Sequence, residues 1–217
     1  MRIVFFGDSI TDAGRNRNDI HALSGLGYGF VRAIADRIQG AAPDQYEIIN
    51  TGISGNRVVD LYARIKCDLW NLNPDVISIL IGVNDVWHEI NEGKNGVELD
   101  RFERVYRMII EDTRKVLPNA KFVLCEPFVL EGRSTCDTEE MPDRFSRFQE
   151  VYQYAEVVKK LSEEYGLYFL PLQAAFDEAA ESIGGKYYSV DGVHPVVGGA
   201  ALIAKEWVNL FKRELDV

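Results

Sequence analysis

Apolar residues along the chain form short continuous runs that alternate with longer stretches in which they recur every three or four positions. The short runs are typical of strands buried on both faces of a parallel sheet, and they lie at residues 3–6, 46–50, 76–81, 121–125 and 167–170. The longer stretches have the period of amphipathic helices, and they lie at residues 28–38, 58–69, 99–117, 145–161 and 200–215. This alternation predicts right-handed βαβ units and a parallel sheet covered on both faces.

Neither an internal repeat nor a Pro/Gly-rich linker interrupts this alternation, and the polar stretches at 91–96 and 131–142 are interpreted as surface loops. The chain has 217 residues, of which 47% are hydrophobic, so it is long enough to bury one full core. We therefore predict one α/β domain over residues 1–217, a three-layer α/β/α doubly wound fold with a five-stranded parallel sheet. Ligands of such folds bind beyond the carboxyl ends of the strands, where functional residues are expected.

The net charge and the cysteine content limit which binding partners and which cellular compartment we expect. The formal net charge of -10 repels phosphate backbones and anionic lipid, which argues against nucleic acid and membranes and favours a neutral small molecule. The three cysteines are an odd number and widely spaced, which is typical of reduced thiols. With no secretory signal pattern at the start and no apolar stretch near ~18 residues, we expect a cytoplasmic protein.

Polar residues that can carry chemistry follow the predicted strands. Ser9 comes directly after the first strand, and a serine hydroxyl becomes a nucleophile only when a base removes its proton. His194 has Asp191 three residues before it, a spacing that lets the carboxylate reach the imidazole and fix its tautomer. Acyl transfer also needs donors for an oxyanion, and the backbone N–H groups of Ser9 and Gly55 and the amide of Asn84 are suited to that role.

Four short motifs carry a resemblance to a known family. Gly7-Asp8-Ser9-Ile10, Ile53-Ser54-Gly55-Asn56, Gly82-Val83-Asn84-Asp85 and Asp191-Gly192-Val193-His194-Pro195 resemble, in order, the four blocks of the SGNH (GDSL-type) hydrolases. The resemblance implies a flavodoxin-like fold and hydrolysis of a carboxylic ester without a cofactor. It also implies the site residues: Ser9 as nucleophile, His194 as base, Asp191 as its orienting acid, and Ser9, Gly55 and Asn84 as the oxyanion hole.

The stretches GDSITDAGR, NTGISGNRVVDL, SILIGVNDVWHE, LQAAFDEA and DGVHP further resemble the intracellular esterases that remove acetyl groups from xylo-oligosaccharides. The alcohol would then be a sugar, and Arg57 and Trp87 are plausible contacts for it. A lysophospholipase or short-chain thioesterase of the same superfamily is an alternative. A non-catalytic flavodoxin-like binding module is an alternative of another class. Helices on both faces of the sheet leave room for a homo-oligomer.

Several of these residues also have structural interpretations. Ser9 could cap a helix with Asp12 three residues on, as in a capping box, and Asn84-Asp85 could form an Asx turn. Asp8 is interpreted as holding the turn through backbone hydrogen bonds. His21 is expected in an exposed loop, and His88 is left outside the catalytic set. Scattered histidines, cysteines without ligand spacing and the missing Gly-x-Gly-x-x-Gly predict neither a metal nor a dinucleotide site.

Overall fold

A computed structural model describes residues 1–91 and 93–215. Glu92, within the predicted loop 91–96, and the last two residues of the predicted 1–217 domain lie outside the described residues. The strands are β1 (Arg2–Gly7), β2 (Glu47–Asn50), β3 (Val76–Leu80), β4 (Lys121–Cys125) and β5 (Tyr168–Leu170). They form one parallel sheet in the order β2-β1-β3-β4-β5, which is the flavodoxin-like order, so the predicted fold class is confirmed.

The helices connect these strands and cover both faces of the sheet. They are α1 (Ser9–Asp12), α2 (Phe30–Arg37), α3 (Val58–Asp68), α4 (Val83–Ile90), α5 (Leu99–Val116), α6 (Arg144–Phe148), α7 (Val151–Tyr165), α8 (Gln173–Ile183) and α9 (Val197–Glu214). The predicted helix at 145–161 is divided into α6 and α7. Phe148 and Val151 on the two sides of the break are both buried, which explains why the apolar period continues across it.

Neighbouring residues of β1 show how the three layers are packed. Phe5 faces α2 and α9, with its ring 5.8 Å from that of Phe30 and 5.1 Å from that of Trp207. Phe6 points the opposite way, and the guanidinium of Arg64 on α3 lies 4.4 Å from its ring centre. Both strand faces are therefore buried, as the continuous apolar run predicted. None of the helices in the described part of the chain is long and apolar enough to span a bilayer.

The sheet register brings the strand exits to one edge. Gly7 pairs with Leu80, and Leu80 pairs with Cys125. At the end of β2 the buried Asn50 amide donates to the carbonyls of Thr11, at 2.6 Å, and Leu26, at 2.9 Å. These bonds fasten the exit of β2 to α1, which follows β1. The single-domain organisation of residues 1–217 stays a prediction, although the buried side chains of the described residues form one connected core.

Candidate active site

Ser9, His194 and Asp191 form a hydrogen-bonded line at the carboxyl edge of the sheet. Ser9 Oγ lies 2.8 Å from Nε2 of His194, and Nδ1 of the same ring lies 2.6 Å from Oδ2 of Asp191. With its proton on Nδ1, the imidazole donates to Asp191 and accepts from the Ser9 hydroxyl. Residues 185 positions apart in the chain thus have the arrangement in which a serine can be deprotonated.

The loop before α9 fixes the carboxylate and the imidazole relative to each other. Asp191 Oδ1 accepts the backbone N–H groups of Val193, at 3.0 Å, and His194, at 2.8 Å. Burial alone would raise the pKa of Asp191, but the hydrogen bond from the His194 ring and these backbone bonds outweigh it and hold that pKa well below its ordinary value. The Asp191 hydrogen bond raises the pKa of His194, although burial opposes the shift. The pair therefore favours an imidazolium next to Ser9.

The segment after β4 holds this loop, a role that the sequence analysis missed. Backbone hydrogen bonds run from Leu130 N–H to the Gly192 carbonyl, at 2.8 Å, and from Ser134 N–H to the Asp191 carbonyl, at 3.0 Å. The fully buried Thr135 hydroxyl donates to the Leu130 carbonyl at 2.7 Å. Gly192 has φ +94, and a Cβ there would collide with Thr135. We call residues 130–135 the strap.

Asp8, and not Ser9, caps the short helix α1. Its Oδ1 accepts the backbone N–H of Ile10 at 2.9 Å, which confirms the structural role predicted for Asp8. The capping box suggested for Ser9 and Asp12 is therefore wrong, because Asp12 accepts hydrogen bonds from Ser54 and Arg17 instead. The Ser9 side chain is left free to meet His194. Burial raises the pKa of Asp8 to about 7.

The motifs after β2 and β3 are bonded to each other. The buried Asn84 amide donates to the carbonyl of Asn56, at 3.0 Å, and this contact takes one of its two N–H bonds. Asp85 accepts the Val58 N–H at 3.0 Å. Asn84 and Asp85 lie in the first turn of α4, so the Asx turn considered for them is not formed. Gly55 has φ +82 with open space where a Cβ would lie, so its backbone is accessible to a ligand.

Arg64 on α3 ties the first two motifs together. Its guanidinium donates to the Gly7 carbonyl at 2.9 Å, to the Thr51 carbonyl at 2.6 Å and to Asn56 Oδ1 at 2.6 Å. Its side chain is only 12% exposed. One cation therefore fixes the exits of β1 and β2 and the residue that Asn84 contacts, and no spacing signal in the sequence singled it out.

The other residues that the sequence analysis considered, Trp87, Arg57, His88 and His21, differ in their surroundings. Trp87 lies beside the hydrogen-bonded line, with its ring centre 5.9 Å from that of His194. The Arg57 guanidinium makes four hydrogen bonds, two to Asp60 and two to Asn95, so it is engaged with the protein. His88 is half-buried in the last turn of α4, and burial lowers its pKa. His21 is 62% exposed and lies 3.0 Å from Glu47, as expected of a surface loop.

A small cavity opens beside the line. Its volume is about 130 Å³, and Ser9 and His194 lie in its wall together with Ile10, Ala13, Tyr28, Gly29, Phe30 and Pro195. A larger polar cavity of about 420 Å³ lies at the opposite, amino ends of the strands, beside Arg2, Glu47 and Asp75. We regard the smaller one as the site, because ligands of doubly wound sheets bind at the carboxyl ends. The residues described contain no cluster of three His, Cys, Asp or Glu side chains that could hold a metal.

Comparisons with known proteins identify the family of the chain. The model of the GDSL-like Lipase/Acylhydrolase family matches residues 5–202. The chain is 34% identical over 213 residues to an acetylxylan esterase of Geobacillus stearothermophilus, covering 96% of this chain and 92% of that protein. The crystal structure of that organism's acetylxylan esterase Axe2 has a TM-score of 0.82 and 34% identity, with 96% and 92% coverage. A Parabacteroides merdae protein described as a GDSL-like lipase has a TM-score of 0.84 and 39% identity, with 96% and 94% coverage. The chain therefore belongs to the GDSL-like lipase/acylhydrolase family and is an esterase.

Proposed function

We propose that Ser9, His194 and Asp191 form a catalytic triad that hydrolyses acetyl esters of xylo-oligosaccharides or related sugars. The observation that carries the triad is the continuous hydrogen-bonded line of 2.8 Å and 2.6 Å from the Ser9 hydroxyl through His194 to Asp191. The similarity to acetylxylan esterases over nearly the whole chain supports the acetylated sugar as substrate. Free Cys67, Cys125 and Cys136 support a reducing compartment such as the cytoplasm.

The reaction has two steps. Ser9 Oγ attacks the ester carbonyl carbon while its proton passes to His194 Nε2, and Asp191 stabilises the imidazolium that results. The imidazolium then gives its proton to the departing alcohol oxygen as the C–O bond breaks, which leaves an acetyl group on Ser9. Water attacks the acyl carbon as its proton passes to His194. The bond from that carbon to Ser9 Oγ then breaks while His194 returns the proton to Oγ, which releases acetic acid and restores Ser9.

Three donors stabilise the negative oxygen in both steps. They are the N–H groups of Ser9 and Gly55 and the second N–H of the Asn84 amide. Ser9 is the first residue of α1, so its N–H has no partner inside the helix. The bond from Asn84 to the Asn56 carbonyl holds the amide in place beforehand, which makes such a donor effective.

Acetate release is the direct test. Wild type should release acetate from acetylated xylo-oligosaccharides, and Ser9→Ala should lower kcat by about 10⁶-fold. Ser146→Ala, a surface serine on α6 whose hydroxyl donates to the Asp143 carbonyl, is the matched control and should keep full activity. Full turnover in Ser9→Ala would overturn the triad. Faster hydrolysis of C8 than of C2 esters, or of lysophospholipids than of sugar acetates, would replace the proposed substrate by the lysophospholipase or thioesterase alternative.

A further inference from the structure

The small cavity lies on one particular side of the triad. Ser9, His194 and Pro195 are in its wall, whereas Gly55 and Asn84 are not. The carbonyl oxygen of a bound ester must point at Gly55 and Asn84 if they stabilise the oxyanion. The departing oxygen must instead lie within hydrogen-bond reach of His194 Nε2, which protonates it. Because His194 borders this cavity, the departing oxygen lies at its mouth, and we assign the cavity to the alcohol half of the ester.

Tyr28 stands at this cavity with an unusual exposure for an aromatic side chain. It is 83% exposed, although it lies in the same cavity wall as the nucleophile and the base. Exposed tyrosines are common singly on protein surfaces, so exposure alone indicates nothing. The position of Tyr28 is what matters, because it borders the same cavity as Ser9 and His194.

The ring of Tyr28 is also held in place. It lies against Gly14, where φ is +70 and where a Cβ would collide with the ring. The Tyr28 N–H donates to the Ala13 carbonyl at 3.0 Å, which anchors the residue to the end of α1. A ring supported in this way loses little conformational freedom when a ligand covers it, so it is suited to binding.

We propose that Tyr28 is a stacking platform for the sugar ring of the alcohol half of the ester, an inference that rests on the proposed function and assigns its leaving-group subsite. A pyranose presents a face of C–H groups that packs on an aromatic ring, and its hydroxyls stay in water beside the tyrosine O–H. The cavity of about 130 Å³ receives the part of the alcohol next to the departing oxygen, and the ring above it lies on Tyr28.

The experiment compares two acetate esters that differ in the alcohol. Acetylated xylotriose carries a sugar ring, and ethyl acetate does not. Tyr28→Ala should lower kcat/KM for acetylated xylotriose about 10-fold, mainly through a higher KM, and this loss is the upper end of the effect expected from one ring contact. The same variant should change kcat/KM for ethyl acetate less than ~2-fold. Tyr28→Phe and Tyr28→Trp should keep the activity toward acetylated xylotriose within ~3-fold. Tyr152→Ala on α7, 38% exposed, is the control and should change neither substrate.

The outcomes separate this inference from the function on which it rests. An unchanged kcat/KM of Tyr28→Ala for acetylated xylotriose, or an equal loss on both esters, overturns the platform and leaves the esterase intact. A lower oligomeric state of Tyr28→Ala in light scattering also overturns it, because the ring would then be a contact with a second copy of the chain. Wild type that cleaves ethyl acetate but no sugar acetate overturns the proposed substrate and the platform together.

Discussion

Asp8 carries a buried carboxyl beside Ser9, the proposed nucleophile, and replacing it by asparagine should stabilise the protein in a pH-dependent way. Asp8 is fully buried, and its Oδ2 has no hydrogen-bond partner, whereas Oδ1 caps α1. Asparagine can also cap a helix, so Asp8→Asn keeps the backbone bond and removes the charge. Burial raises the pKa of Asp8 from 3.8 to about 7. At 1.36 kcal/mol per pKa unit this shift corresponds to about 4 kcal/mol.

The sign follows from proton linkage. A carboxyl whose pKa is higher in the folded protein ionises first in the unfolded chain, so rising pH destabilises the folded wild type. Below about pH 3.8 the group is protonated in both states, and above about pH 7 the full penalty is present. The free energy of unfolding of Asp8→Asn minus that of wild type should therefore rise by about 4 kcal/mol between about pH 3 and pH 9.

Urea unfolding at a series of pH values measures this difference. Titrating groups that do not interact with Asp8 cancel between the two proteins, whereas His194 and Asp85, whose pKa values the Asp8 charge raises, contribute to it. Asp36→Asn is the control. The Asp36 side chain is 59% exposed and pairs with Arg32 at the surface, so its replacement should change the free energy of unfolding by less than ~0.5 kcal/mol at every pH. A difference that stays flat with pH for Asp8→Asn, or one that falls, would refute the reasoning. As a second readout, the acid limb of activity should move to lower pH, because the Asp8 charge also helps to raise the pKa of His194.

Three further predictions concern the triad and its support. The acid limb of kcat/KM should have its midpoint above ~6.5, because Asp191 raises the pKa of His194. Asp191→Asn should move this limb to lower pH and lower kcat about 10⁴-fold. A limb that does not move would contradict the role of Asp191. Asn84→Ala should lower kcat 10²–10³-fold, about 2.7–4 kcal/mol, with little change in KM, whereas an unchanged kcat would remove Asn84 from the oxyanion hole. Arg64→Lys should lower the free energy of unfolding, measured in urea, by about 2 kcal/mol, because lysine cannot reach all the carbonyl groups that Arg64 contacts. Arg213→Lys at the surface is the control and should lower it by less than ~0.5 kcal/mol. Equal effects would show that the Arg64 network is not stabilising.

The sheet could be predicted from the sequence because β1, β2, β3 and β4 have interiors buried on both faces and therefore form continuous apolar runs, and the half-buried β5 is apolar as well. Helices with a weak apolar stripe were missed, because a helix that buries few residues shows little apolar periodicity. Phe176 is the only buried residue of α8, so that helix has little apolar period to detect. The short helix α1 and the helix α4 begin inside the Gly7-Asp8-Ser9 and Gly82-Val83-Asn84 motifs, where glycine and polar residues look like a loop.

The candidate site was predicted as far as residue chemistry at strand ends allows. Ser9, Asp191 and His194 were named from their chemistry and their motifs, and the structure brings them together. Arg64 was not named, because its carbonyl partners Gly7 and Thr51 are distant in the sequence. Thr135 was not named, because its role depends on the contact between the strap and Gly192, which only the fold creates. Family membership as an esterase argues against the alternative of a non-catalytic binding module.

The strap has a consequence for how this enzyme loses activity on heating. Its residues follow β4, so the loop that carries Asp191 and His194 is bonded to the backbone that leaves an interior strand of the sheet. Catalytic loops joined only by their own ends open locally and stop working well before the rest of the molecule melts. Because the strap joins the loop of His194, the proposed general base, to the sheet, we expect thermal inactivation and global unfolding to coincide in temperature.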